Sequence, residues 1–224
     1  VKSFGWYETE TTIRIAMEHM ANGDLRQYMN RPFADDEARK IAWQLAEALE
    51  FMHEAGFAHR DLKPANILVE ERGPEWWVKI ADFGICKRAE GTATALRTVI
   101  GTQGYIAPEV LGLILDDEVG ESNSAFSYTR AVDMWALGEV IFRLRTQKPA
   151  FPNPGDLGRY AVQKKMLWVQ PLRDRGASEE CCDFIMRIMV ADPRGRMTAA
   201  AAATHAWVKH SDSSGRSSPS PSSQ

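Results

Sequence analysis

Residues 131–144 are apolar on nearly every side of a helical projection. A helix without a polar face is normally buried all round, because only full burial removes such a surface from water. The stretch therefore predicts a central helix with the rest of the chain packed around it. A chain of 224 residues is long enough to build one domain with a substantial core around such a helix.

The remaining segments predict a mainly helical architecture with a few small strands. A long amphipathic helix is expected over residues 35–54, capped by Asp35 or Asp36 and ended by Gly56. Two further helices are expected over residues 178–190 and 198–208, and a short helix begins at residue 25. Strand-like stretches occupy residues 2–7 and 12–17, whereas residues 57–90 read as loops and small strands laid over the helices.

Composition limits the cellular location and the binding partners that can be expected for this protein. The formal net charge of -3 gives no reason to expect nucleic acid as a partner, and no apolar run reaches the length of a membrane helix. Three cysteines, two of them adjacent, suit neither a disulfide framework nor a zinc site. We therefore expect an intracellular protein, in the cytoplasm, the nucleus or both. The Ser- and Pro-rich residues 210–224 are expected to be disordered.

Three motifs follow one another in a fixed order. Residues 59–66 read HRDLKPAN, residues 82–84 read DFG, and residues 101–109 read GTQGYIAPE. They resemble the catalytic loop, the magnesium-binding triplet and the end of the activation segment of serine/threonine protein kinases. The resemblance implies a protein-kinase-like C-lobe, preceded by the last two strands of an N-lobe. It also implies ATP and Mg²⁺ as cofactors and the transfer of the γ-phosphate to Ser or Thr of a protein substrate.

The resemblance assigns chemical roles to four residues. Asp61 would accept the proton of the substrate hydroxyl or orient that hydroxyl, and Lys63 would place an ammonium on the γ-phosphate. Asn66 and Asp82 offer an amide oxygen and a carboxylate, which are ligands that Mg²⁺ takes alongside phosphate oxygens. Any of these residue types alone is usually a turn, cap or solvated residue, so only their joint spacing supports the roles.

Other motif residues are expected to be structural. His59 and Phe83 would pack and orient the catalytic loop and the metal triplet, and Gly84 would let the backbone turn after the metal ligand.

Two more expectations concern residues outside these motifs. Asp133 would brace the catalytic-loop backbone from the central helix. Arg196 would pair with Glu109, at a cost of about 3–5 kcal/mol if either partner of a buried pair were removed.

Residues 17–24 resemble the hinge between the two kinase lobes. Met17 would guard the back of the adenine pocket, the backbones of Glu18 and Met20 would bind adenine, and Asp24 would face the ribose or a basic substrate residue. Leu68 would form the floor of this ATP-binding pocket.

Substrate class and regulation also follow from the resemblance. Lys63 and Thr102 favour Ser/Thr over Tyr substrates. Arg60 beside the catalytic Asp is typical of kinases switched on by activation-loop phosphorylation, and Thr98 is the expected acceptor for an upstream activating kinase. A phosphate there could pair with Arg60 and Lys87.

The expected domain organisation is an N-lobe remnant (1–17), a hinge (18–24), a C-lobe (25–209) and a tail (210–224). No Gly-rich phosphate loop occurs in the sequence, so this chain alone is expected to be inactive or nearly so. An acidic insertion at 115–127 is expected to be a solvated loop. Two alternatives stay open: a pseudokinase or scaffold that lacks the N-lobe, and a phosphotransferase for small molecules. Residues 101–109 resemble the peptide platform, the segment on which protein kinases bind peptide substrates, and this disfavours the second alternative.

Overall fold

A computed structural model describes residues 1–83, 86–88, 101–114, 124–163 and 168–209. Helices contain far more of these residues than strands do, as predicted. The helices are α1 (Asp35–Glu54), α2 (Ser124–Thr146), α3 (Pro154–Gln163), α4 (Gln170–Arg173), α5 (Glu179–Ile188), α6 (Ala199–Ala203) and α7 (Ala206–Lys209). The strands are β1 (Ser3–Glu8), β2 (Ile13–Met17), β3 (Phe57–Ala58), β4 (Ile67–Glu71), β5 (Trp77–Ile80) and β6 (Lys87–Arg88).

Helix α2 is the predicted central helix, and it is longer than the apolar stretch 131–144 from which it was predicted. It contacts α1 on one side and α5 on another. Its large side chains Met134, Trp135 and Leu137 are all at most 2% exposed. The core forms around this helix because no side of it can face water without exposing apolar surface.

Helix α1 has the predicted range but not the predicted cap. Its N-cap is Ala34, and the Glu37 carboxylate accepts a hydrogen bond from the Ala34 N–H at 2.9 Å. Asp35 instead accepts hydrogen bonds from the Ser178 hydroxyl and the Trp207 indole, both at 3.0 Å, so its carboxylate joins distant segments. The helix ends before Gly56, whose φ of +83° suits the predicted stop.

The C-terminal helices follow the prediction in part. Helix α5 begins after Ser178, whose hydroxyl accepts the Cys181 N–H. Residues 198–208 form two helices rather than one. The Thr204 hydroxyl donates back to the Ala200 and Ala201 carbonyls at the break, a competition with the helix backbone that is typical of Thr. Helices α3 and α4 were not predicted.

The strands form three antiparallel pairs among the described residues: β1 with β2, β3 with β6, and β4 with β5. The β4–β5 pair covers α1 and frames the loop between β3 and β4. The β1–β2 hairpin differs from the rest because its large apolar side chains are 51–67% exposed. They are Phe4, Trp6, Tyr7, Ile13, Ile15 and Met17.

Several predictions concern residues outside the described ranges, including those for Gly84, for Thr98 and for the tail at 210–224. The same holds for most of the insertion at 115–127. Its last four residues correct the prediction of a loop, because α2 already begins at Ser124.

Candidate active site

The loop between β3 and β4 is anchored through its backbone by one carboxylate of the central helix α2. Asp133 is fully buried and accepts the backbone N–H groups of His59 and Arg60 at 2.9 and 2.7 Å. The loop backbone is unusual at this point, since Arg60 has a φ of +71°. Two charge-assisted hydrogen bonds to successive N–H groups stabilise that conformation, which a non-glycine residue rarely adopts. The contact places Asp133 where the sequence predicted a brace.

The next residue, Asp61, is at the centre of a hydrogen-bond network. One carboxylate oxygen accepts from the Lys63 ammonium at 2.6 Å, and the other accepts from the Thr102 hydroxyl at 2.8 Å. Lys63 also donates to the Thr102 hydroxyl oxygen at 2.7 Å. Three side chains separated by 41 positions in the sequence therefore form a closed triangle around one carboxylate.

The network keeps Asp61 charged. Burial opposes its ionisation, but the hydrogen bonds from Lys63 and Thr102 outweigh burial and hold the pKa of this carboxyl below its ordinary value. A carboxylate that is ionised and oriented on both oxygens suits a group that must receive a proton or align a hydroxyl.

Asn66 and Asp82 are the predicted magnesium ligands, and the N–H of Ala81, the residue before Asp82, donates to the Asn66 carbonyl at 2.8 Å. The Asn66 amide nitrogen donates to the Asp61 carbonyl at 2.9 Å, which leaves the amide oxygen as the end that can bind a cation. Asp82 is exposed and has a φ of +62°. No group of three or more His, Cys, Asp or Glu side chains in the described residues could hold a metal alone. The pair nevertheless fits magnesium, which usually takes one or two carboxylates and completes its shell with phosphate and water oxygens.

His59 and Phe83 differ in burial. The His59 ring is fully buried, donates through Nε2 to the Ala81 carbonyl at 3.0 Å, and accepts the Asp61 N–H through Nδ1 at 3.3 Å. Both nitrogens are engaged in holding the backbone, as expected for a structural residue. Phe83 is 46% exposed and therefore lies outside the core, but it packs edge-on against His59 with ring centroids 5.6 Å apart.

The predicted hinge lies beside β4. Leu68 is bridged to Asp24, so the expected pocket floor and hinge are neighbours. The Glu18 N–H donates to Lys2 and the Met20 carbonyl accepts from Gly23, which leaves the Glu18 carbonyl and the Met20 N–H facing no described backbone partner.

Two side chains of the hinge are already engaged or exposed. Asp24 caps the predicted short helix, which is a 3₁₀ helix over Leu25–Tyr28. It also binds the Arg26 guanidinium through both oxygens, an interaction that lowers the pKa of Asp24. Met17 is 51% exposed. The roles of these residues in nucleotide binding stay predictions.

Glu109 and Arg196 form the predicted pair. The guanidinium donates to both carboxylate oxygens at 2.7 and 2.9 Å, and the two side chains are 6% and 0% exposed. Arg196 also donates to the carbonyls of Ala131 and Ala191. The pair thus ties the end of the third motif to α2 and to the turn before α6.

Sequence reasoning missed two sets of residues near the site. His53 had no sequence signal, yet it is buried and lies 2.8 Å from the Asp133 carboxylate, which it shares with the catalytic loop. Glu139 and Arg143 did carry a signal, since they are charged residues four positions apart within the apolar stretch 131–144. That spacing places them on one face of α2.

Residues 1–208 match the family described as the protein kinase domain. The sequence is 35% identical over 218 residues to the serine/threonine-protein kinase RAD53 of Saccharomyces cerevisiae. It is 32% identical over 204 residues to the serine/threonine-protein kinase cds1 of Schizosaccharomyces pombe. A crystal structure of Rad53 in complex with AMP-PNP superposes with a TM-score of 0.71 at 31% identity, covering 92% of this chain and 50% of that chain.

The chain therefore belongs to the protein kinase family, and its curated relatives are serine/threonine-protein kinases. The matches cover 94% and 90% of this chain but only 26% of RAD53 and 42% of cds1. The chain thus spans less than half the length of these two relatives. Among the described residues, no helix is long and apolar enough to cross a membrane.

Proposed function

We propose that the protein containing this chain is an ATP-dependent serine/threonine protein kinase, and that this chain supplies its hinge and C-terminal lobe. The observation that carries the proposal is the closed network of Asp61, Lys63 and Thr102. Thr102 joins the peptide platform to the residue that would handle the acceptor proton. A scaffold would need no such link, so the network favours an enzyme over a binding protein.

The geometry suggests how these residues act. Asp61 would accept or align the hydroxyl hydrogen of the substrate Ser or Thr, because its carboxylate is ionised and held on both oxygens. Lys63 is anchored to Asp61 and Thr102, so its ammonium is already placed to compensate charge on the transferred phosphoryl group. Thr102 fixes the distance between the substrate platform and Asp61.

Asn66 and Asp82 would hold magnesium. When bound, this ion neutralises charge on the phosphate oxygens of ATP. The Asn66 side chain is oriented for this task by its bonds to Asp61, so that metal binding and hydroxyl alignment depend on the same loop.

Nucleotide binding would use the hinge. Adenine would bind the Glu18 carbonyl and the Met20 N–H, with Leu68 beneath it and Met17 behind it. The Rad53 complex with AMP-PNP supports an ATP site in this fold. To bind a ribose or a basic substrate residue, the Asp24 carboxylate would have to break its contact with Arg26.

The domain division follows the same proposal. Residues 1–17 would be the last N-lobe strands, 18–24 the hinge, 25–209 the C-lobe and 210–224 a tail. The exposed apolar face of the β1–β2 hairpin supports this division, since such a surface is normally covered by further structure. We further propose an intracellular location and activation through phosphorylation of Thr98 by an upstream kinase.

The test uses the whole protein with Mg-ATP and a Ser/Thr peptide. Asp61→Asn should lower kcat by about 10²–10⁴-fold, the usual worth of a positioned acid–base group. Asp82→Asn should raise the magnesium concentration needed for half-maximal activity. Asp174→Asn, at an exposed residue of the turn after α4, is the matched control and should leave kcat unchanged. A folded whole protein that transfers no phosphate to Ser or Thr would refute the proposal.

A further inference from the structure

The central helix carries an ion pair whose acid is buried. Glu139 is only 3% exposed at its side chain, and one of its oxygens accepts the Arg143 Nε–H at 2.6 Å. The Ala150 N–H, from the segment after α2, lies 3.2 and 3.3 Å from the two oxygens. Burying a carboxylate in an apolar helix is costly unless it is paired, and a hydrophobic pair of similar volume would often be as stable. The pair therefore needs a reason other than stability.

The other side of Arg143 faces the third motif. Its Nη2 donates to the Gly104 carbonyl at 3.2 Å, and its guanidinium lies 4.6 Å from the centre of the Tyr105 ring. Gly104 has a φ of +86°, and a Cβ atom at this position would lie 2.7 Å from Nη2. The positive φ favours glycine here, and a Cβ atom would displace Nη2 from its contact with this backbone.

The contacts continue from Tyr105 to the acceptor site. The Tyr105 N–H donates to the Thr102 carbonyl at 3.0 Å, and the Thr102 hydroxyl donates to Asp61. Glu139 is therefore joined to Asp61 through Arg143, the turn at residues 102–105 and Thr102. Each link is a hydrogen bond or a cation–π contact that the structure shows directly.

We propose that Glu139 and Arg143 are positioning residues that set residues 101–105 of the peptide platform for the protein substrate. Arg143 holds the platform through Gly104 and Tyr105, and Glu139 fixes the direction of the guanidinium. This inference rests on the proposed kinase function. It assigns to the pair an effect on peptide binding rather than on ATP binding, because the pair contacts the platform and not the hinge.

The kinetic test compares Arg143→Met, Arg143→Lys and Glu139→Gln in the whole protein. Arg143→Met should raise the KM for the peptide about tenfold, the equivalent of one charge-assisted hydrogen bond, with the KM for ATP unchanged. Arg143→Lys should raise the KM for the peptide less than Arg143→Met does, because an ammonium keeps the charge. The rise should not vanish, since lysine lacks the planar fork that reaches Glu139 and Gly104 together. The KM of Glu139→Gln for the peptide should lie between that of Arg143→Met and that of the unmodified protein.

The matched control is Arg187→Met, which breaks an exposed ion pair with Asp183 at the same four-residue spacing in α5. It should leave both KM values unchanged. An equal rise in the KM for ATP and for the peptide, or no change in either for Arg143→Met, would overturn the proposal. If Arg143→Met does not fold, Glu139→Gln carries the same comparison, since it keeps the size of the buried side chain.

Hydrogen exchange separates this proposal from the kinase function itself. Amides of residues 101–106 should exchange faster in Arg143→Met and Glu139→Gln, but not in Arg187→Met or Asp82→Asn. Exchange needs no catalysis, so an inactive whole protein with faster exchange would refute the proposed function and retain the positioning role. Unchanged exchange in both pair variants would overturn the positioning role whatever the activity.

Discussion

At the scale of single residues, neighbours decide what a carboxylate does. Asp61 and Asp133 are both buried or half-buried acids near one loop, yet Asp61 binds two side chains and Asp133 binds backbone N–H groups and a histidine. The first arrangement leaves a reactive group at the site, whereas the second fixes the loop that carries it. Glu37 is a third kind of acid, whose carboxylate binds a guanidinium, an indole and a backbone N–H away from the catalytic loop.

Glu37 holds the start of α1 and should contribute to acid stability. Its carboxylate binds Arg31 at 2.7 and 2.8 Å and the Trp76 indole at 3.0 Å. The bonds from Arg31, with further help from the Ala34 N–H and Trp76, lower the pKa of Glu37 from 4.5 to about 2. The native state thus favours the charged form, and this contribution is present above pH 4.5 and is lost as pH falls towards 2.

Glu37→Gln should therefore lower the free energy of unfolding by about 1–3 kcal/mol at neutral pH, as expected for a lost charged hydrogen-bond partner. It should also flatten the fall in stability between pH 4.5 and 2. Denaturant unfolding at several pH values checks both effects. A variant with the same slope in this pH window as the unmodified chain would contradict the prediction.

At the scale of elements, α2 organises the molecule through contacts of different kinds. Its apolar residues build the core, Asp133 braces the catalytic loop, and Arg143 reaches the third motif. It also approaches α5 closely at Gly138. A Cβ atom there would lie 2.9 Å from Met189 Sδ and 3.2 Å from Ile188 Cγ1, distances that real Cβ contacts rarely show.

Gly138→Ala should thus destabilise the protein although alanine favours helices. The expected loss is about 1–3 kcal/mol, because overpacking forces α2 and the end of α5 apart. Gly158→Ala is the matched control, since a Cβ atom in that part of α3 meets nothing within 4 Å. It should stabilise by about 0.5–1 kcal/mol. Thermal and denaturant unfolding of both variants measure the difference, and a stabilising Gly138→Ala would show that α5 yields without cost.

At the scale of the whole molecule, the described residues divide into a core and a hairpin. The connected apolar core begins at Leu25 and includes side chains from α1, α2, α5, α6 and α7. None of the hairpin residues belongs to that core, and their apolar side chains are exposed. The hairpin therefore contributes little to the stability of the part that carries the catalytic loop.

Removal of residues 1–17 should change the free energy of unfolding by less than about 1 kcal/mol, a small share of the stability of an ordinary domain. The physical reason is that these residues bury little apolar surface against the core. Denaturant unfolding of the 224-residue chain and of residues 18–224 provides the comparison. A loss of several kcal/mol would mean that the hairpin packs on the core in solution.

The sequence predicted the helical class, the central helix and α1 because their apolar periodicity depends on local spacing. It also predicted the residues of the candidate site, since the three motifs lie within 51 positions of one another, between residues 59 and 109. Pattern alone failed where distant groups compete with local ones. Asp35 or Asp36 was expected to cap α1, but the cap is Ala34, and Asp35 instead binds Ser178 and Trp207.

The sequence by itself determined the family, the positions of the two longest helices and which side chains are available for chemistry. Only the tertiary structure decided how those side chains are paired: Thr102 with Asp61, His53 with Asp133, and Arg143 with Gly104 and Tyr105. These partners are 38 to 80 positions apart. Local periodicity carries no information about such pairs, because packing around the central helix, rather than chain spacing, brings them within hydrogen-bond distance.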